Sequence, residues 1–179
     1  QNLFLQCFDL QDLATTKAVT IDGTALTGNG AATNVGLKVA GSAVAASTIK
    51  GSEVVDQFTI GAVGSTYQGN GGKDAFTSTT EAILAGSVSI DGGAGADTMT
   101  MSATGATTTG TTTLGDNTWS KMSSIETVNL SGVYAGDLVW TLGGFANALA
   151  TSNGGVLKVT AAAVASAVTA DAITIDASN

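Results

Sequence analysis

Three aspartates return at one position of a nine-residue frame, and that spacing is the strongest chemical signal in the chain. Counting in nines from Gly51 gives blocks 51–59, 60–68 and 69–77; after five inserted residues, Ser78 to Ala82, the frame resumes as 83–91 and 92–100. The sixth position holds Asp56, Ser65, Asp74, Val88 and Asp97, so the carboxylate appears in every second block. The eighth position holds Phe58, Tyr67, Phe76, Ile90 and Met99, bulky and apolar each time. If two blocks make one turn of a parallel β-roll, blocks two apart stack on each other. Asp56, Asp74 and Asp97 then line one side, Ser65 and Val88 the other, and the eighth-position residues meet between them as a thin core. Glycines suit the turns because they reach φ > 0 without a Cβ penalty. Carboxylates and turn carbonyls gathered in a column make an all-oxygen cage that suits a hard cation such as Ca²⁺.

The frame also resembles a known repeat. Residues 92–100, Gly-Gly-Ala-Gly-Ala-Asp-Thr-Met-Thr, match the RTX nonapeptide in full, with Met in the bulky position. Residues 69–77 match with Asn at the second position, and residues 51–59 have lost the second and fourth glycines. Ser124 to Ser131 is similar to a strand that follows such blocks in RTX-like calcium-binding bacterial surface-layer proteins and repetitive adhesins. The resemblance implies Ca²⁺ between successive turns, held by sixth-position aspartates and turn carbonyls. Carried over, Asp74 and Asp97 with the carbonyls of Gly69, Gly71, Gly92 and Ala94 form the better site, and Asp56 with Asp74 a poorer one. Two or three such ion sites imply dissociation constants on the order of 10⁻⁴–10⁻³ M, typical of extracellular modules. The resemblance further implies a place outside the cell, at its surface, and export by a C-terminal signal, in keeping with the lack of a recognisable secretory signal at Gln1.

Composition excludes much else. The chain of 179 residues has no His, no Pro and no Arg; its six lysines face fourteen acids, for a net charge of −8. Lacking His, it has no Ser-His-Asp or Cys-His chemistry and no imidazole metal ligand. So few cations give no basic face for nucleic acid. Cys7 is the one cysteine, so no internal disulfide forms. Apolar stretches fall far short of the roughly 18 residues of a transmembrane helix.

The elements that must carry the frame read mostly as short strands separated by Gly, Asn and Asp clusters. Strands are predicted at 19–21, 37–39, 48–50, 57–60, 87–90, 127–130, 138–141 and 156–160. Residues 144–150 form the best short helix, closed by Asn153-Gly154-Gly155. Ala161 to Ala170 reads as a second helical turn or a loose connection, and the Thr-rich run 106–113 as an exposed edge or loop. Residues 1–17 form an apolar N-terminal arm, helix or strand, that packs on its own domain or on a neighbouring copy. Residues 18–179 form a single domain, with 51–100 its nonapeptide region. The segment Ala18-Val19-Thr20-Ile21-Asp22-Gly23 returns as Ala172-Ile173-Thr174-Ile175-Asp176-Ala177, an offset of 154 residues, which suggests a tandem unit.

Other constellations are weak. Asp116, Glu126 and Asp137 read as solvated charges on separate strands. Trp119, Trp140 and Tyr134 are too dispersed for a carbohydrate platform and read as packing residues. Asn129-Leu130-Ser131 fits a glycosylation sequon that falls in a predicted strand. The expected fold is therefore all-β, a β-roll or parallel β-helix-like solenoid with irregular strands and one or two short helices. The expected function is non-enzymatic: a calcium-ordered, self-assembling unit of an extracellular surface layer, filament or coat. Its partners would be copies of itself and, secondarily, cell-surface polysaccharide. The alternative is a module of a secreted adhesin gripping a surface or glycan.

Overall fold

Runs in which apolar and polar residues alternate make strands with one buried face, and this chain deals such runs to two sheets in turn. The computed structural model describes residues 8–10, 18–27, 35–78, 86, 88–106, 112–134, 138–161 and 173–176. In chain order the first strands are β1 (Phe8–Leu10), β2 (Thr20–Asp22), β3 (Val35–Ala40), β4 (Thr48–Lys50), β5 (Val55–Thr59) and β6 (Thr66–Gln68). Next come β7 (Gly71–Gly72), β8 (Ala75–Ser78), β9 (Ser89–Asp91), β10 (Ala94–Gly95), β11 (Thr98–Ala106) and β12 (Thr112–Leu114). A 3₁₀ helix (Asp116–Lys121) leads into β13 (Met122–Ser123), β14 (Thr127–Tyr134) and β15 (Leu138–Thr141). Helix α1 (Gly144–Ser152), β16 (Lys158–Ala161) and β17 (Ile173–Asp176) follow.

Sheet one has seven strands in the order β1-β3-β5-β8-β11-β14-β16, and sheet two has five in the order β13-β9-β6-β4-β2. A third sheet, β12-β15-β17, and a two-stranded ladder, β10-β7, complete the set. Neighbours in sheet one are separated by an excursion through another strand elsewhere, so each strand re-enters in the same direction. Every strand pair among the described residues is parallel.

In-register pairing turns the bulky positions into columns. Val39, Phe58, Phe76, Met99 and Val128 follow one another across sheet one. Ile21, Ile49, Tyr67, Ile90 and Met122 do so across sheet two. These residues are buried, Ile21 partly so. Phe58 and Phe76 stack with ring centroids 5.0 Å apart, and Tyr67 meets Phe58 edge-on at 6.1 Å, tying one column to the other. Burying a ring of this size contributes about 2–3 kcal/mol, so the five eighth-position residues carry much of the core.

At the far end helices replace strands as the cover. Thr118 and Trp119 of the 3₁₀ helix and Ala146 and Leu149 of α1 are buried, and Trp119 meets Trp140 edge-on at 5.4 Å while its indole N–H donates to the Thr141 carbonyl. Helix α1 lacks a capping side chain of its own; instead Asp116 accepts the N–H groups of Gly143, Phe145 and Ala146. This corrects the expected all-β class, a β-roll or parallel β-helix-like solenoid: the architecture is parallel sheets with helices packed against them, an α/β-like fold. The strand grammar of the first hundred residues is silent about this, because the helices enter only where Trp119 and Leu149 need a partner surface. The N-terminal arm contributes β1, which pairs with β3 of the same chain. Cys7, Asp137, the run 107–111 and residues 162–170 lie outside the described residues.

Candidate functional site

The three sixth-position aspartates are brought together, pointing inward. Asp56, Asp74 and Asp97 are each at most 1% exposed. They form a ladder in which a carboxylate oxygen accepts the backbone N–H of the residue beside it on the preceding strand of sheet one. Leu37 donates to Oδ1 of Asp56 at 2.5 Å, Asp56 to Oδ1 of Asp74 at 2.7 Å, and Asp74 to Oδ1 of Asp97 at 2.7 Å. The ladder has a fourth member, for Asp97 donates to Oε2 of Glu126 at 2.6 Å. The insertion at 78–82 leaves the contact between Asp74 and Asp97 intact.

The second oxygen of each carboxylate decides the chemistry. Oδ2 of Asp56 accepts the Ser52 N–H at 2.6 Å, and the Ser52 hydroxyl donates to the same carboxylate. Oδ2 of Asp74 and Oδ2 of Asp97 are buried and accept no hydrogen bond. Each instead lies close to a backbone carbonyl of the next pass across a bare glycine Cα. A methyl group on Gly69 would overlap both Oδ2 of Asp74 and the Gly92 carbonyl oxygen; one on Gly92 would overlap Oδ2 of Asp97 and the Ser124 carbonyl oxygen. Two acceptors opposed in a dry interior repel unless a proton or a cation lies between them. Burial accordingly drives Asp74 up to about 8, with the charges of Asp56 and Asp97 adding to it. Burial likewise drives Asp97 up to about 6, with Glu126 and Asp91 adding, and raises Asp56 despite its hydrogen bonds.

The glycines expected to supply carbonyls divide. Gly92 faces Asp74, and the Gly69 carbonyl lies beside Oδ2 of Asp56, one step from where the resemblance put it. Gly71 and Ala94 pair with each other in the two-stranded ladder that flanks the column. Ser124 and Glu126, read as strand and solvated charge, belong to the column. The pairing of Met122 with Ile90 and Thr127 with Thr98 shows why they escaped: Ser124 stands where Gly92 does and Glu126 where Asp97 does. Three residues are missing between them, so a count in nines passes over the site, and the longer Glu side chain spans the shortened turn. Asp116, also read as solvated, is the cap of α1.

Among the described residues no three carboxylate, thiol or imidazole groups converge on one point. A cation in this column would therefore be held by one carboxylate at a time together with carbonyl oxygens. A groove of about 420 Å³ on sheet one is lined by Lys38, Gln57, Thr59, Ala75 and Thr77, and pairs no acid with a base. Among the described residues no helix is long and apolar enough to cross a membrane. No family model, curated protein or solved structure matches the chain.

Proposed function

We propose that this chain is a non-enzymatic structural unit of an extracellular assembly, a surface layer, filament or coat, whose aspartate column is ordered by Ca²⁺. One observation carries the reading: two buried carboxylate oxygens, Oδ2 of Asp74 and of Asp97, without donors and each set against a carbonyl oxygen. Asp74 with the Gly92 carbonyl, Asp97 with the Ser124 carbonyl, and Asp56 with the Gly69 carbonyl would hold the ions. The ion supplies positive charge between opposed oxygens; the chain supplies hard, all-oxygen ligands, the kind Ca²⁺ prefers. A net charge of −8 adds self-repulsion between copies that a divalent cation relieves.

The test is a Ca²⁺ titration of the chelator-stripped protein at pH 8, followed by far-UV circular dichroism and negative-stain microscopy of the same samples. The expected result is a gain of β signal at roughly 10⁻⁴–10⁻³ M Ca²⁺, accompanied by sheets or fibres. A folded monomer indifferent to Ca²⁺ overturns the reading.

A further inference from the structure

The 154-residue sequence echo falls on two strands that, among the described residues, are each partnered on one side only. Strand β2, Thr20-Ile21-Asp22, ends sheet two, with β4 beside it. Strand β17, Ile173-Thr174-Ile175-Asp176, ends the third sheet, with β15 beside it. The neighbour of β2 comes later in the chain and that of β17 comes earlier, so the two copies of one motif are open on opposite sides. Sheet one repeats the arrangement, ending in β1 at one extreme and β16 at the other. Strands pair in parallel within each sheet, so a second copy placed end to end can set its β1 beside β16 without reversing direction.

We infer that copies of this chain add head to tail, β17 and β16 of one molecule pairing in parallel with β2 and β1 of the next. The inference rests on the structural-unit reading and names the surfaces that it uses. Edge strands of soluble proteins are ordinarily blunted with lysine or proline; neither β2 nor β17 contains either, while β16 carries one lysine, Lys158, at its first residue. The two ends differ, so the contact is heterologous; joined by a translation along the stack it never closes, and it grows a filament.

Backbone alternation picks the residues for the test. The Val19 carbonyl accepts from Thr48 and the Gly23 N–H donates to Lys50, so residues 19, 21 and 23 point their main chain at β4 and Thr20 points its own outward. The same alternation, shifted by 154 residues, aims the main chain of Ile173 away from β15. Thr20→Pro and Ile173→Pro thus each remove an outward donor at opposite ends, on edge strands where proline is tolerated. Sedimentation and electron microscopy in Ca²⁺ should show long polymers for the unmodified chain. Each variant alone should be monomeric, its end-to-end association weakened by about tenfold or more. Mixed in equal amounts, the two should form dimers, since one intact junction remains, and that result also shows that both are folded. Thr20→Lys and Thr174→Lys repeat the test with charge in place of proline. Polymers from either single variant, or a mixture without dimers in both pairs, overturn the docking scheme while leaving the calcium-ordered coat in place. An unmodified chain that folds with Ca²⁺ and stays monomeric overturns both.

Discussion

The two sides of the nonapeptide region share a backbone plan and differ in what fills the sixth position. On the serine side, the Ser47 N–H donates to Oγ of Ser65 at 3.0 Å, and that hydroxyl donates in turn to the Ala62 carbonyl at 2.8 Å. A hydroxyl can accept and donate, so the rung closes on itself with nothing left over. Val88 takes the next position with no polar group to satisfy. On the aspartate side, Oδ1 does the accepting work of the serine, but Oδ2 of Asp74 and of Asp97 meets a carbonyl and, when ionised, has no proton to offer it. One side is complete as a neutral protein. The other is complete only with an added positive charge, and the difference is one functional group at equivalent positions.

The sharpest way to break this contrast is to fill the space over a column glycine. Gly69→Ala puts a methyl into the Gly92 carbonyl, which is main chain, and into Oδ2 of Asp74, whose carboxylate is held by the Asp56 N–H, and should cost about 3 kcal/mol or more in urea denaturation. The loss should be larger in Ca²⁺ than in chelator, because the methyl takes the space between the two oxygens proposed to hold the ion.

Replacing the charge while keeping the shape should invert the cation response. In Asp74→Asn the amide oxygen still accepts from Asp56, and the amide N–H₂ donates where Oδ2 had none to give. With chelator at pH 8 the variant should melt higher than the parent chain; in saturating Ca²⁺ it should melt no higher, its midpoint moving little with the ion. A parent-like calcium shift in Asp74→Asn would remove Asp74 from the site.

Proton concentration sharpens the same contrast. Asp74 and Asp97 are raised above their ordinary value of 3.8, to about 8 and about 6, so the fold favours their neutral forms. That contribution is full below about pH 4 and is lost as pH rises through 6 and then 8. In chelator, thermal stability should therefore fall between pH 5 and pH 8. A flat profile would mean that the column is hydrated.

The smallest effects belong to groups that already have what they need. Ser65→Ala strands the Ser47 N–H and should cost about 1 kcal/mol, and Asp116→Ala uncaps α1 for a similar amount. Neither loss should vary with Ca²⁺, as calorimetry with and without chelator will show.

Residue spacing made the core columns and three of the four ladder carboxylates legible, because stacking in register forces a fixed count between equivalent side chains. Phe76 and Met99 are legible by their position in the frame alone, since the sequence predicts no strand at β8 or β11. The helical cover was half visible: residues 144–150 matched a helix, while the 3₁₀ segment at Trp119 offers no periodicity to read. Glu126 was hidden by a shortened turn and a changed residue type, and Asp116 by distance, its partners lying 27 to 30 residues on. Contacts of that kind depend on where the chain returns in space, which spacing alone does not encode.

The ladder's steps lengthen along the chain, with 18 residues between Asp56 and Asp74, 23 between Asp74 and Asp97, and 29 between Asp97 and Glu126. The hydrogen bond that closes each step changes little, from 2.7 to 2.6 Å. Closing a 29-residue excursion rather than an 18-residue one costs only about 0.4 kcal/mol in chain entropy. Insertions between passes are therefore nearly free, whereas a single carbon added beneath a column carboxylate is not. Such a molecule has room to acquire new loops, and with them new outward-facing surface, at almost any step without disturbing its interior spacing.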